Sequence, residues 1–232
     1  MTLVHLSDIE LYYTPEENIK DNTILLFGEE LKHAVKVMRN RIGNTIYITA
    51  GTGSIFKSEI STIDKEKLTA KIIDEIVTRN DLENIFFCIP KLKNPERFKF
   101  ALEKCVELGI LNFIIFESER TISKSSNVKR WEKIALAAMK QSIRSYLPKI
   151  ELMYSMEEMK ILPGEKIVFD QNAKQQFKFN YDSKKKYYFI FGPEGGLTEN
   201  ELNLFKADEL YNISSNRLRS ETAIVKVASL LI

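Results

Sequence analysis

Three glycines, a proline and a carboxylate fall within the seven residues Phe191-Gly192-Pro193-Glu194-Gly195-Gly196-Leu197. Glycines remove side chains and permit φ > 0, Gly195 among them, and Pro193 stiffens the middle of the run. Such a loop can offer bare main-chain N–H and C=O groups to a flat, polar ligand. A second polar concentration, Leu218-Arg219-Ser220-Glu221-Thr222-Ala223, follows one helix and one strand later, ahead of an apolar terminal helix read from Ala223 to Ile232. Two polar corners then frame one cleft. Neither contains Gly-x-Gly-x-x-Gly, and Gly196 is followed by Leu197 and Thr198, not Lys and Ser or Thr. NAD and nucleoside triphosphates are therefore disfavoured as ligands. The plain alternative for the first corner is a tight turn whose glycines serve geometry only.

The elements that must hold these corners are readable from periodicity. An apolar stretch, Tyr187 to Phe191, feeds the first corner, and Thr198-Glu199-Asn200-Glu201 is a capping box, with Leu197 and Leu202 as its hydrophobic staple. The corner is a strand-loop-helix junction. Further apolar runs at Ile85–Ile89, Phe113–Phe116 and Ile167–Phe169 read as buried strands of a parallel sheet. Between them lie amphipathic helices, one with Phe98, Leu102, Cys105 and Leu108 on a face that ends at Gly109, another with Trp131, Ile134, Ala135 and Ala138. The result is an α/β domain, in which ligands bind beyond the carboxyl ends of the strands.

A polar run from Thr78 to Glu83 marks the domain boundary. Ahead of it, Leu31, Ala34, Val35 and Met38 share one face of a helix expected from Glu29 to Asn40. Strands are expected at Thr45–Thr49, Ser54–Ile60 and Leu68–Val77, the first two joined by a hairpin at Ala50-Gly51-Thr52-Gly53. A small β-barrel with one helix follows, similar to a PUA-type RNA-binding module. His33 reads first as a half-buried structural histidine and second as an RNA contact.

Composition sets wider bounds. The chain has 232 residues, 44% hydrophobic and 28% charged, as expected of an ordinary soluble protein with one medium or two smaller cores. No apolar run approaches the roughly 20 residues needed to span a bilayer, and Met1-Thr2-Leu3-Val4-His5 lacks the pattern of a signal peptide, so a cytoplasmic protein is expected. Cys88 and Cys105 read as buried small hydrophobes, and with only His5 and His33 in the chain no metal site is expected. The net charge of +2 conceals a local excess: eight basic residues against Glu132 alone between Arg120 and Lys149, Lys124 and Lys133 among them. A second basic group is Lys32, Lys36, Arg39 and Arg41. Such clusters attract polyanions, although either alone could be a solvated helix face.

The two corners, together with Gln141-Ser142-x-Arg144, resemble the RsmE family of 16S rRNA uridine N3-methyltransferases, and the likeness spans nearly the whole chain. Pro95-Glu96-Arg97-Phe98 through Leu108-Gly109 is similar to that family's first methyltransferase helix, and Ser118-Glu119-Arg120 to the segment after its next strand. His33 through Arg39, Gly43-Asn44 and Ala50-Gly51-Thr52-Gly53 resemble its N-terminal domain. The chain departs from the pattern at Ser214, where glycine is usual, at Lys140, where an acid is usual, and in lacking an arginine between Met1 and Lys20.

The resemblance implies a PUA-like RNA-binding β-barrel domain over residues 1–78 and a SPOUT α/β methyltransferase domain over residues 79–232. The C-terminal segment of the latter would thread a deep trefoil knot, against the general rarity of threaded chains. It further implies S-adenosylmethionine as cofactor, 16S rRNA of the small ribosomal subunit as partner, and a homodimer with the site near the subunit interface. Cofactor binding then falls on Phe191, Gly192, Pro193, Glu194, Gly195 and Gly196 in the first corner, and on Ile213, Leu218, Arg219, Ser220 and Thr222 in the second. RNA contacts fall on Lys32, His33, Arg39 and Arg41, and on Arg120, Lys129, Arg130, Gln141 and Arg144.

Uridine N3 carries a proton and is a weak nucleophile while neutral, so methyl transfer requires a base and an aligned approach. Glu221 or Glu194 is the candidate base. Arg219 or Arg144 is the candidate for stabilising charge on the uracil carbonyl oxygens, with Arg219 and Glu221 preferred. The alternative for that pair is an Arg219–Glu221 interaction that only holds the loop. Two other functions compete: the same chemistry on tRNA or 23S rRNA, and a non-catalytic RNA-binding assembly factor.

Overall fold

The computed structural model describes residues 8–121 and 127–232; the readings made for Met1–His5 and Lys124 lie outside them. The alternating pattern of the first third of the chain is paired into a six-stranded sheet. Its strands are β1 (Leu11–Tyr13), β2 (Ile19–Lys20), β3 (Thr23–Phe27), β4 (Thr45–Thr49), β5 (Ser54–Ile63) and β6 (Lys67–Val77), in the order β1-β4-β5-β6-β3-β2. β1 is parallel to β4, and every other pair is antiparallel. Because side chains alternate along a strand, Ile24, Leu26, Ile46, Ile48, Ile60 and Leu68 all fall on one face and pack together with Tyr12.

Leu31 and Ala34 cover that face from a helix shorter and less regular than expected. Helix α1 (Gly28–Lys32) continues only as a π-helical turn, His33–Val37, in place of an α-helix reaching Asn40. Asn40 explains the early stop. Its backbone N–H and its Nδ2 both donate to the Ala34 carbonyl, at 3.0 and 3.1 Å, and Nδ2 also reaches the Tyr12 hydroxyl at 3.1 Å. Arg39, at φ +57°, makes the left-handed step that lets the chain turn back for these bonds.

The chain divides into two compact units, and the first takes Met139–Leu147 from far along the sequence in addition to the chain before Asp81. This segment docks on the β4–β5 hairpin. The N–H groups of Leu147 and Gly53 donate to the carbonyls of Gly51 and Ser145, each at 2.9 Å, and the Tyr146 hydroxyl donates to the Thr78 carbonyl at 3.2 Å.

The second unit holds a seven-stranded sheet in which all pairs are parallel. Its strands are β7 (Ile85–Pro90), β8 (Asn112–Phe116), β9 (Lys149–Met153), β10 (Glu165–Phe169), β11 (Gln175–Gln176), β12 (Tyr187–Ile190) and β13 (Leu210–Asn212), ordered β11-β13-β10-β12-β7-β8-β9. The helices are α2 (Pro95–Glu107), α3 (Val128–Gln141), α4 (Met156–Lys160), α5 (Glu199–Leu202) and α6 (Ser220–Ser229). The uninterrupted apolar strand sequences follow from burial on both faces: Phe87, Cys88, Ile89, Phe189 and Ile190 are all fully buried.

Asn94 caps α2, its Oδ1 accepting from the N–H groups of Glu96 and Arg97 at 2.9 and 3.3 Å, with Pro95 in the first turn. The apolar face of α2 carries Phe98, Ala101, Leu102, Cys105 and Val106, and α6 packs against this helix. Helix α6 starts at Ser220, three residues before the expected Ala223, and leaves Leu230–Ile232 beyond its end. Cys88 and Cys105 are free and buried, and burial pushes both thiols up, leaving them as inert packing groups. No helix among the described residues is long and apolar enough to cross a membrane.

Candidate active site

The C-terminal ends of β7, β8, β10, β12 and β13 lead into loops that surround a cleft of about 810 Å³. Phe191 forms part of its wall and stacks on Phe169 and Phe87 at centroid distances of 4.9 and 5.3 Å. After Phe191 the chain closes a turn in which the Gly196 N–H donates to the Pro193 carbonyl at 2.9 Å. Gly196 has φ +72°, so a side chain there would be strained. Gly195, expected to need the same freedom, lies outside the left-handed region. The demand for glycine at 196 is conformational, because the turn must reverse there. At Gly192 it is steric: a Cβ would sit 3.2 Å from the Leu197 nitrogen.

Several side chains fix this loop. Thr198 and Glu201 form the expected capping box: the Thr198 N–H donates to Glu201 Oε2 at 2.8 Å, and the Glu201 N–H to Thr198 Oγ1 at 3.2 Å. Glu201 is buried, and its Oε1 also accepts the Glu119 N–H at 2.9 Å. One carboxylate thus ties the loop after β8 to the loop after β12. Arg120 adds a second tie, donating from Nη1 to the carbonyls of Gly195 at 2.6 Å and Leu197 at 3.4 Å. Glu194 accepts the Lys93 N–H at 3.0 Å, and Ser220 Oγ donates to the Gly192 carbonyl at 2.7 Å. This last bond stitches the second corner directly to the first.

From the second corner, Ile213, Leu218, Arg219 and Ser220 reach the cleft. Arg219 is exposed, and its side chain makes no hydrogen bond or ion pair among the described residues. Thr222 is exposed outside the cleft lining, because α6 has already begun and turns it away. Glu221 is also off the lining. Its side chain is 9% exposed, with Oε1 at 3.5 Å from Arg97 Nε and Oε2 without a partner among the described residues. The Arg219–Glu221 contact considered from the sequence is therefore replaced by Arg97–Glu221. Residue 221 sits in the first turn of a helix packed on α2, which directs its carboxylate to α2.

Sequence reasoning missed Arg97, Asp170, Gln171, Asn172, Tyr211 and Arg217, which also line the cleft. A usable signal existed for Asp170 to Asn172: they follow the apolar run of β10, and ligands gather past strand ends. Ser214, in place of the usual glycine, accepts the Asn216 N–H on its hydroxyl at 3.2 Å and so supports the loop from within.

The residues expected to meet RNA are distributed over both units. In the first, Lys32 pairs with Glu29 at 2.7 Å, and His33 Nδ1 lies 3.5 Å from a Glu10 carboxylate oxygen. Arg39, Arg41 and Gln141 are exposed. Lys140 is held by Glu30 at 2.6 Å, and Arg144 is half-buried, its guanidinium pKa lowered by desolvation. In the second unit, Lys129 and Lys133 are exposed on α3, while Arg130 lies 3.7 Å from Glu96. Arg120 is engaged with the glycine loop as described. Among the described residues no group of three His, Cys, Asp or Glu side chains is arranged to hold a metal ion.

Residues 79–232 match the family model of the RNA methyltransferase domain, and residues 26–73 that of the RNA methyltransferase PUA domain. The ribosomal RNA small subunit methyltransferase E of Bacillus subtilis is 28% identical over 220 residues, covering 87% of this chain and 86% of that protein. Its counterpart in Mesomycoplasma hyopneumoniae is 31% identical over 167 residues, covering 67% of this chain and 73% of that one. The crystal structure of the Neisseria gonorrhoeae ribosomal RNA small subunit methyltransferase E bound to S-adenosyl methionine aligns with a TM-score of 0.85 at 26% identity, covering 96% of each chain. With a PUA-like unit followed by a parallel-sheet SPOUT unit, the chain belongs to the RNA methyltransferase family of the small-subunit ribosomal RNA methyltransferases E.

Proposed function

We propose that this protein binds S-adenosylmethionine in the cleft and methylates N3 of a uridine in 16S rRNA of the small ribosomal subunit. The observation that carries this reading is the glycine loop, whose main chain borders a cleft of about 810 Å³, within the usual range for small-molecule sites. The cofactor fits that cradle. A Cβ at Gly195 or Gly196 would meet only the Arg120 side chain, at 3.4 and 3.9 Å, so a flat ligand edge can come close to the backbone. Phe191, Gly192, Pro193, Gly195, Gly196, Ile213, Leu218 and Ser220 would hold it, and it would supply an electrophilic methyl group on a sulfonium.

The chain's own residues do the rest. Arg219, unpaired at the cleft, stabilises negative charge on the uracil carbonyl oxygens as N3 loses its proton. Glu194 lines the cleft, is exposed, and has one oxygen committed to the Lys93 N–H, which leaves the other to receive that proton directly or through water. Glu221 acts from behind the wall through Arg97. Arg144, in the other unit and half-buried, is assigned to RNA binding together with Arg39 and Arg41.

Three further readings belong to this proposal. The C-terminal segment is threaded as a trefoil knot, supported by the Ser220–Gly192 bond and the packing of α6 on α2. The protein is a homodimer, a reading supported by exposed apolar side chains, Phe100 on α2 and Leu230 and Ile232 past the end of α6. The protein works in the cytoplasm, where ribosomal RNA is modified. A non-catalytic RNA binder has no need of an open main-chain cradle beyond the strand ends. The test is incubation with methyl-labelled S-adenosylmethionine and small-subunit RNA, followed by digestion and mass analysis of nucleosides. N3-methyluridine is the expected product; label on another base, or only in tRNA or 23S rRNA, would overturn the assignment.

A further inference from the structure

Arg97 occupies a position that neither the glycine loop nor the arginine corner explains. It lies in the first turn of α2, lines the cleft, and keeps 35% of its side chain exposed. Its Nε lies 3.5 Å from Glu221 Oε1, and neither Nη group makes a hydrogen bond among the described residues. Glu221 is the reverse case: its side chain is 9% exposed, and Oε2 has no partner among the described residues. A carboxylate so buried needs a cation beside it. Arg97 therefore cannot leave, yet a contact of 3.5 Å at Nε engages only one edge of its guanidinium. The end-on fork of two Nη groups remains for an oxyanion, the geometry in which arginine binds phosphate.

We propose that Arg97, positioned by Glu221, receives a backbone phosphate next to the target nucleotide. This deepens the methyltransferase reading and rests on it. The choice of RNA phosphate over the cofactor carboxylate follows from the surroundings. Glu96, the neighbour of Arg97, lies 3.7 Å from Arg130, so the start of α2 adjoins the α3 face that exposes Lys129 and Lys133. Arg217 and Arg219 share the cleft with Arg97, against the carboxylates Asp170 and Glu194. A strand drawn along α3 meets Arg97 on its way to the cleft. Glu221 is thus a positioning residue that acts through Arg97.

The test compares Arg97→Gln, Glu221→Gln and the double variant, which leaves no uncompensated buried charge and so guards against misfolding. Cofactor affinity is read by calorimetry, and affinity for a small-subunit rRNA fragment is titrated across salt concentrations. The double variant is expected to bind S-adenosylmethionine within about twofold of wild type, to lose on the order of tenfold in RNA affinity, and to show a salt slope shallower by roughly 0.7–0.9. Glu221→Gln alone should lose less, and should add nothing once Arg97 is replaced. Arg97→Lys should restore the slope but not the full affinity. An unchanged slope in the double variant, or a loss confined to cofactor affinity, would overturn the proposal. A wild-type protein that binds RNA but transfers no methyl group would instead defeat the methyltransferase reading, with the salt slope still judging Arg97.

Discussion

The chain contains two glycine-rich turns of similar appearance, Gly51-Thr52-Gly53 and Gly192 to Gly196, and they serve opposite ends. In the first, a Cβ on Gly51 would lie 2.6 Å from Leu147 Cβ, and one on Gly53 2.5 Å from the Tyr146 hydroxyl oxygen. The space those glycines leave is filled by the protein's own Ser145–Leu147 segment. In the second, added Cβ atoms at 195 and 196 meet only Arg120, at 3.4 and 3.9 Å. The main chain there faces an open cleft. Glycine content marks bare main chain in both; residues about 90 positions away cover it in one case, and an open cleft borders it in the other.

Substitutions in the two turns should therefore fail in different ways. The largest effect is expected for Gly53→Val, which combines φ +107° with a collision against Tyr146. Overpacking and left-handed strain together should cost about 3 kcal/mol or more, seen as a lower urea midpoint. Wild-type stability would mean that the first turn is not filled as described. Next comes Arg219→Ala, which removes an unpaired cation from the open turn's cleft. Single-turnover methylation should fall on the order of 100-fold while cofactor affinity and melting temperature hold. A loss of binding alone would make Arg219 a ligand-holding residue. The smallest effect is expected away from both turns: reversing Lys129 and Arg130 to glutamate on the exposed face of α3 should weaken RNA binding and flatten its salt slope by about 2, with cofactor binding intact. Equal slopes would remove α3 from the RNA interface.

The strands β4, β5, β6, β7, β8, β10 and β12 and both corners are legible in the sequence because each is written in local patterns: apolar runs, a capping box, turn glycines. Strands β1, β2, β9, β11 and β13 are short or mixed in polarity and carry no such pattern, and the short β3 goes unread despite its apolar run. Glu201 shows where local reading stops. Its capping role follows from the spacing to Thr198, but its second bond, to the Glu119 N–H, joins segments that only the parallel sheet order brings together. The same applies to Glu221, whose sequence neighbour Arg219 suggested a partner that the helix geometry of α6 replaces with Arg97. The helix over Glu29–Asn40 was expected from its apolar face, and its π-helical turn depends on Asn40 returning to the Ala34 carbonyl, which periodicity does not encode. Docking of Met139–Leu147 on the β4–β5 hairpin is likewise invisible locally, since the segment begins in the last turn of α3, which reads like the rest of an amphipathic helix.

The central claim is that the turn from Gly192 to Gly196 is kept open for S-adenosylmethionine. Calorimetric titration of that cofactor into wild-type protein and into Gly196→Val tests it most directly. A valine at φ +72° is strained, and its branches project where the cofactor would meet the main chain. The account predicts measurable binding to wild type and at least roughly tenfold weaker binding to a variant whose far-ultraviolet spectrum shows it folded, equivalent to about 1.4 kcal/mol. Wild-type affinity in the folded variant, or no binding to the wild-type protein, would contradict it.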